Sequence, residues 1–229
     1  MPDKKIAAFF DFDGTLYDGV IAVDVLKYGI RKRKLRMRDL ARLSRFIYYY
    51  ALDKLKLRDR YIINVKIYKR LKKWRASNLE SMSKEYFKLK LKENLYPHMI
   101  EVIDSHRKQG HKIIIVTSAI KEVIAQIRDY LPIDDIIASE VEIKNDIYTG
   151  IITNLPVGKA RPKAIEDYCR KNSISIKDCY AYSDHYSDIP MLSVVGNPIA
   201  ANPEIKLKLY AKRHNWKIIQ QNKPFQNIY

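Results

Sequence analysis

The sequence is poor in the features that mark several classes of protein. Its only two cysteines, Cys169 and Cys179, lack the cysteine and histidine spacing of a zinc site, so we expect buried thiols. The longest uninterrupted apolar run, residues 46–52, has seven residues, far short of the ~18–20 that span a bilayer. Residues 6–10 form too short an apolar segment for a secretory signal. These absences predict a globular protein of the cytoplasm.

Acidic residues are scarce in one third of the chain. Residues 17–96 contain 23 Lys and Arg but only 8 Asp and Glu, a net charge of +15, and the whole chain carries +17. The other two thirds are therefore close to neutral. A partition this sharp indicates a separate structural unit that faces something anionic, although a solvated basic surface is the alternative.

Apolar periodicity divides the chain at the same places. Residues 5–10 predict a buried strand, and residues 17–96 follow helical spacing, with apolar stripes within 40–51 and 61–71. We call residues 17–96 the cap. From Pro97 onward strands and helices alternate, which predicts a mostly parallel sheet covered on both faces.

The sequence therefore predicts an α/β fold whose core consists of residues 1–16 and 97–229, with the all-helical cap inserted after the first strand. The predicted elements of the core are helices at 99–109, 121–130 and 161–171 and strands at 5–10, 112–116, 135–138, 141–143, 148–152, 179–182, 198–201 and 217–219.

Polar side chains follow three of the predicted strands. Asp11 and Asp13 come directly after the first strand, Thr117 follows 112–116, and Asp184 and Asp188 follow 179–182. The carboxyl ends of parallel strands meet at one edge of an open sheet, where such folds place their active sites. We therefore expect these side chains to converge.

This set of residues suits phosphoryl transfer. Crowded carboxylates need a divalent cation, and hard oxygen ligands favour Mg²⁺. Asp11 is the candidate nucleophile that would form an aspartyl-phosphate, and Asp13 is the candidate acid and base for the leaving group and the water. Thr117 and Lys163, at the start of a helix, would hold the phosphate oxygens that are not transferred. Lys159 is the alternative to Lys163, and it is expected in the preceding loop.

The order of these residues resembles the motifs of the haloacid dehalogenase superfamily. Residues 11–16, Asp-Phe-Asp-Gly-Thr-Leu, resemble the first motif, and residues 113–117, an apolar strand ending in Thr, resemble the second. Lys163 resembles the lysine of the third motif, and Asp184 with Asp188 resembles the acidic pair of the fourth. The cap resembles a C1-type cap, and the chain as a whole resembles subfamily I B, which is phosphoserine-phosphatase-like.

The resemblance implies a Rossmann-like core and a Mg²⁺-dependent phosphatase that acts on a small phosphorylated substrate. It implies that Asp11, the backbone carbonyl of Asp13 and Asp184 hold the Mg²⁺, with Asp188 in a supporting position. Thr117, Ser118 and Lys163 would then contact the phosphate.

Three positions depart from the phosphoserine phosphatases. Val20 stands where those enzymes carry an acidic residue that recognises the substrate amine. Ser118 replaces the usual glycine of the second motif, and Ser187 replaces an asparagine of the fourth. These departures leave the phosphatase prediction in place but remove the ground for predicting phosphoserine as the substrate.

Two alternatives remain open at the level of sequence. The same residues would serve a phosphotransferase that passes the phosphoryl group to another alcohol. A protein of a different class would use the basic cap to bind anionic lipid or nucleic acid, although the complete acidic set argues against lost catalysis. The exposed candidates for such a surface are Arg42, Arg45, Lys66, Lys69, Arg70 and Lys73.

Overall fold

A seven-stranded sheet flanked by helices organises residues 5–35 and 60–220, the residues that the computed structural model describes. The strands are β1 (Ala7–Phe10), β2 (Lys112–Ile120), β3 (Asp135–Lys144), β4 (Ile147–Asn154), β5 (Tyr180–Ser183), β6 (Asn197–Ala201) and β7 (Lys217–Ile219). The helices are α1 (Ile21–Arg31), α2 (Arg60–Lys69), α3 (Ala76–Tyr86), α4 (Lys92–Asn94), α5 (Pro97–Lys108), α6 (Lys121–Ile124), α7 (Ala160–Lys171), α8 (Ile189–Ser193) and α9 (Ile205–Arg213). None of these helices combines the length and the apolar character needed to cross a bilayer.

The strand order is β4-β3-β2-β1-β5-β6-β7, and every neighbouring pair is parallel except β3 and β4. This confirms the predicted α/β fold with a mostly parallel sheet. Because β1 lies between β2 and β5, the ends of the three strands that carry the candidate residues lie side by side.

Strand β1 is buried on both faces, as its unbroken apolar sequence requires. Ala8 and Phe10 pack into one hydrophobic core, and Ala7 and Phe9 pack into the other. Alternate residues of a strand point to opposite faces, so one short strand joins the two cores. The loop that follows β1 is therefore attached to a strand that is packed on both faces.

Three predicted elements differ in kind or continuity from the observed ones. The strands predicted at 135–138 and 141–143 form one continuous strand, β3, because its first half pairs with β2 and its second half forms a hairpin with β4. The helix predicted at 121–130 is one turn of α-helix followed by a 3₁₀ segment, Ala125–Asp129.

The described cap residues attach to the hairpin of β3 and β4 through backbone hydrogen bonds. The Lys73 N–H donates to the Tyr148 carbonyl at 3.0 Å, and the Tyr148 N–H donates to the Trp74 carbonyl at 2.9 Å. The Ala76 N–H donates to the Asp146 carbonyl at 2.9 Å. The apolar stripe predicted within 40–51 lies outside the described residues, and the predicted cap boundaries stay a prediction.

A buried pair of histidines lies beneath the sheet on the side of α5. The Nδ1 atoms of His106 and His111 are 2.7 Å apart, and His106 Nε2 is 2.8 Å from the Tyr182 hydroxyl. Burial, together with the charge of the neighbouring His111, lowers the pKa of His106 to about 4. Burial also lowers the pKa of His111. Both rings are therefore neutral at physiological pH.

We predict that this pair makes folding sensitive to acid. An unfolded histidine takes up a proton near pH 6.5 whereas folded His106 resists it, so its contribution to stability is lost as the pH falls from about 6.5 towards 4. In urea unfolding, the decrease in unfolding free energy between pH 7.5 and 5.5 should be smaller for His106→Gln than for wild type, by about 1 kcal/mol or less. The control is His214→Gln, which removes an exposed histidine and should retain the wild-type dependence. An unchanged pH dependence in His106→Gln would contradict the prediction.

Candidate active site

The loop after β1 presents two aspartates at the edge of the sheet. The Asp11 N–H donates to the Tyr182 carbonyl of β5 at 2.9 Å, which holds Asp11 between the two strands. Asp13 Oδ1 accepts from the Ile21 N–H, the first of α1, at 2.8 Å. Gly14 follows with φ +80, and a Cβ atom at this position would lie 2.2 Å from Asp184 Oδ2. The glycine therefore permits both the left-handed turn and the close approach of Asp184.

The loop after β5 supplies the second acidic pair. Asp184 Oδ1 accepts from the Thr15 hydroxyl at 3.3 Å, which ties this loop to the one after β1. Asp188 is almost fully buried, and its Oδ2 accepts from the Ser183 hydroxyl at 2.7 Å. The structure thus brings together all four aspartates that the sequence singled out.

The cation that joins them is Arg161, which the sequence analysis did not single out. Its Nη2 lies 2.9 Å from Asp11 Oδ1, and its Nη1 lies 2.7 Å from Asp188 Oδ2. Its Nε donates to the Pro156 carbonyl at 3.0 Å, and the side chain is only 4 % exposed. One buried guanidinium group is therefore shared by two buried carboxylates.

Lys163, which was expected at the phosphate, is not among the residues that form this cluster. It is exposed, and so is the alternative, Lys159. Neither lysine forms an ion pair within residues 5–35 and 60–220. Lys163 lies two positions after Arg161 on α7, and residues two apart on a helix point to different sides. A usable signal was present, because Arg161 shares the buried face of α7 with Ile165 and Cys169, at a spacing of four.

The end of β2 brings Thr117 and Ser118 to the same edge. Thr117 is fully buried, and its Oγ1 accepts from the Ala119 N–H at 3.0 Å. Ser118 is half-buried and lines the cavity together with Asp11 and Asp13. The pairing of β2 with β3 shifts register between Val116 and Ile120, as bulged strands near functional sites do.

Burial raises the pKa of three of the four aspartates. It raises the pKa of Asp11 despite the opposing charge of Arg161, and it raises the pKa of Asp13 to about 7 despite the Ile21 hydrogen bond. The pKa of Asp184 lies well above its ordinary value, because burial and the charges of Asp11 and Asp188 act in the same direction.

Asp188 differs from the other three. Burial opposes its ionisation, but the charges of Arg161 and Arg60 and the Ser183 hydroxyl outweigh burial and hold the pKa of Asp188 below its ordinary value. The negative charge of Asp188 is therefore stabilised by Arg161. At the other three carboxylates, nearby positive charges and hydrogen bonds do not offset the effect of burial to the same extent.

A cavity of about 690 Å³ opens above the carboxylates, and the cap forms its other side. Arg60, the first residue of α2, lines it, and its Nη1 donates to the Ser187 hydroxyl at 3.1 Å. Asp18, Asp24 and Lys27 line the outer part of the same cavity. The cap therefore contributes charges of both signs to the site.

The donor set fits a divalent cation. The four aspartates outnumber the two guanidinium groups beside them, those of Arg161 and Arg60, so a divalent cation would stabilise the ionised form of the carboxylates that the arginines leave unpaired. Within the described ranges no three acidic, histidine or cysteine side chains form a ready metal cluster. An ion bound here would therefore take at most two carboxylates, with backbone oxygen and water as further ligands, which is the coordination that Mg²⁺ accepts.

Comparison with known families agrees with this geometry. The sequence matches the haloacid dehalogenase-like hydrolases over residues 8–193. The chain therefore belongs to the haloacid dehalogenase-like hydrolase family, which confirms the resemblance described above and the prediction that the protein is a hydrolase.

Several of its relatives are phosphatases. The chain is 26% identical over 221 residues to the phosphoserine phosphatase SerB1 of Mycobacterium tuberculosis (strain ATCC 25618 / H37Rv), and the match covers 94% of this chain and 71% of that protein. It is 22% identical over 154 residues to a histidinol-phosphatase of Neisseria meningitidis serogroup C (strain 8013), covering 65% of this chain and 69% of that protein. These names agree with the predicted class, the phosphoric monoester hydrolases.

Solved structures share the fold. A protein of unknown function from Bordetella pertussis Tohama I superimposes with a TM-score of 0.83 at 22% identity, covering 95% of this chain and 99% of that one. A substrate-bound phosphoserine phosphatase superimposes with a TM-score of 0.69 at 18% identity, covering 96% and 95%. At such identities the likeness establishes the architecture.

We predict that Arg161, and neither lysine, is essential. Replacing Arg161 by Gln leaves Asp11 and Asp188 buried without their cation, which should lower phosphatase kcat/KM by at least about 100-fold. Lys163→Gln and Lys159→Gln, the matched controls on the same segment, should stay within about twofold of wild type. The assay is turnover of p-nitrophenyl phosphate by variants whose folding is checked by circular dichroism. A folded Arg161→Gln enzyme with normal activity, or an inactive Lys163→Gln enzyme, would contradict the assignment.

Proposed function

We propose that the enzyme hydrolyses small phosphomonoesters through an aspartyl-phosphate on Asp11, with Mg²⁺ as its metal ion. The observation that carries this proposal is the buried ion pair between Asp11 Oδ1 and Arg161 Nη2, at 2.9 Å, on the floor of the cavity. The pair fixes the direction of one carboxylate oxygen, so that the other, Oδ2, is the atom we assign to the attack.

In the first step Asp11 Oδ2 forms a bond to phosphorus, and the bond from phosphorus to the ester oxygen breaks. The departing alkoxide takes a proton from Asp13. A carboxyl group whose pKa is about 7 is partly protonated near neutral pH, so Asp13 can act as the acid here. The hydrogen bond from the Ile21 N–H holds Asp13 Oδ1 and leaves Oδ2 to carry the proton.

In the second step water attacks phosphorus and gives its proton to the same carboxylate of Asp13. The bond between phosphorus and Asp11 Oδ2 breaks, which releases inorganic phosphate and restores both aspartates. Arg161 remains paired with Asp11 throughout, and Thr117 and Ser118 are the groups we assign to the phosphate oxygens.

The residues we assign to Mg²⁺ are Asp11, Asp184 and the backbone carbonyl of Asp13, with Asp188 supporting them through Arg161. When bound, the ion would screen the carboxylates from the incoming phosphate and stabilise the charge of the transition state.

The cavity favours a small, polar leaving group. Most of the side chains that line it are charged or polar, Asp18, Asp24 and Lys27 among them, and a long apolar chain would find few partners there. The named substrates of the relatives, phosphoserine and histidinol phosphate, support a small phosphorylated substrate. Val20 also lines the cavity, and its uncharged side chain gives no ground for proposing a substrate that carries an amine group.

Charge alone supports a polyanion partner for the cap. Lys69, Arg70 and Lys73 are exposed and Lys66 is half-buried, whereas Arg42 and Arg45 lie outside the described residues. The relatives' names point to small substrates, so we propose no lipid or nucleic acid partner.

The cytoplasmic location stays a prediction. Transfer to an alcohol other than water would use the same residues, and the relatives' names favour water.

We predict that Asp11→Asn abolishes turnover. The amide cannot form the covalent intermediate, so kcat for p-nitrophenyl phosphate should fall at least about 1,000-fold while the thermal unfolding midpoint stays near wild type. Acid-quenched wild-type enzyme given radiolabelled substrate should retain label that hydroxylamine removes, and Asp11→Asn should retain none. Asp104→Asn, an exposed aspartate on α5, serves as the control. A label that survives in Asp11→Asn would place the nucleophile elsewhere.

We predict that Asp184→Asn weakens the metal site. Loss of one anionic ligand should raise the Mg²⁺ concentration for half-maximal activity by at least about 10-fold. Calorimetric titration of Mg²⁺ into the variant, without substrate, should show the same loss of affinity. Asp104→Asn again provides the control. If both titrations of Asp184→Asn coincide with those of wild type, Asp184 is not a ligand.

A further inference from the structure

The peptide unit between Ser118 and Ala119 is held by hydrogen bonds at both ends. Its carbonyl, that of Ser118, accepts from the Tyr68 hydroxyl and from the Ser139 hydroxyl, the latter at 2.9 Å. Its N–H, that of Ala119, donates to Thr117 Oγ1 at 3.0 Å. All three partner side chains are buried, so water does not compete for these bonds.

This arrangement settles how the Thr117 hydroxyl can be used. A hydroxyl group has one hydrogen and two acceptor positions, and the Ala119 N–H occupies one of the acceptor positions. The hydrogen of Thr117 is therefore left to donate to another acceptor, such as a phosphate oxygen. A rotation of the peptide would redirect both the Thr117 hydroxyl and the neighbouring Ser118 side chain, which lines the cavity.

One of the two donors to the Ser118 carbonyl comes from the cap. Tyr68 lies on α2 and is 7 % exposed, whereas Ser139 lies on β3 within the core. Burial raises the pKa of Tyr68, so its phenol keeps its proton across the assay range and remains a donor. Arg60, two turns earlier on the same helix, lines the cavity. The Tyr68 bond therefore exists only while α2 lies against the end of β2.

We propose that Tyr68 is a positioning residue for phosphate binding, through which the cap fixes the Ser118–Ala119 peptide and, with it, the Thr117 and Ser118 donors. This inference rests on the proposed function, since it deepens the role of the same site. Tyr68 is not among the residues that line the 690 Å³ cavity, and its hydroxyl acts through the Ser118 carbonyl. It makes the affinity for the phosphoryl group depend on the position of the cap.

Tyr68→Phe tests the proposal because it removes only the hydroxyl. Calorimetric titration with inorganic phosphate in the presence of Mg²⁺ should show affinity about five- to tenfold weaker than wild type. The KM for p-nitrophenyl phosphate should rise by a similar factor, and kcat should change less, as expected for a lost contact that acts in ground state and transition state alike. Ser139→Ala removes the other donor to the same carbonyl and should shift both quantities in the same direction.

The matched control is Tyr28→Phe, another cap tyrosine, whose hydroxyl donates to Glu85 Oε2 at 3.0 Å, away from Ser118. It should leave phosphate affinity and KM within twofold of wild type. The proposal is overturned if Tyr68→Phe binds phosphate as tightly as the control variant does. It is also overturned if Tyr68→Phe loses phosphate affinity together with a lower unfolding temperature while Ser139→Ala keeps the wild-type affinity. Should wild type bind phosphate without hydrolysing esters, the proposed function fails while the binding comparison still decides the role of Tyr68. A wild-type protein that does neither overturns both.

Discussion

A single guanidinium group, buried between two carboxylates, is the interaction on which the site depends. An isolated charge at the positions of Asp11, Asp188 or Arg161 would carry a large desolvation penalty, and each group relieves that penalty for the others. The three residues come from the end of β1, the loop after β5 and the start of α7. The ion pairs between these residues therefore fix the relative positions of the three elements. The remaining aspartates, Asp13 and Asp184, lie next to this ion-paired group.

The fold was predictable because its signals are local. The unbroken apolar run of β1 and the alternation of strands and helices after Pro97 need only sequence periodicity, and the aspartates at the strand ends follow from the direction of parallel strands. Motif spacing pointed to Lys163 and passed over Arg161, because it did not take the buried face of the helix into account. Arg161 stands in line with Ile165 and Cys169, and that stripe identifies the side of α7 that turns inward.

Other contributions to the site could not be derived from sequence. Arg60 and Tyr68 act on residues far away in the chain, and no periodic pattern links them to Ser187 or Ser118. Bulk charge was also a poor guide to the cavity. The cap is strongly basic as a whole, yet it places Asp18 and Asp24 in the cavity wall beside Lys27, because the local path of the chain, and not the net charge of a segment, decides which side chains line a cavity.

The backbone hydrogen bonds between residues 73–76 and the hairpin of β3 and β4 are a second connection between cap and core, in addition to the chain crossings near residues 16 and 97. Every residue except proline carries the same backbone N–H and C=O groups, so these hydrogen bonds tolerate changes of side chain on either side. The cap can thus diverge in sequence without detaching. A chimaera whose foreign cap followed a different backbone path at residues 73–76 would lose these bonds, so an exchangeable unit should include the hairpin tip around Asp146 and Tyr148.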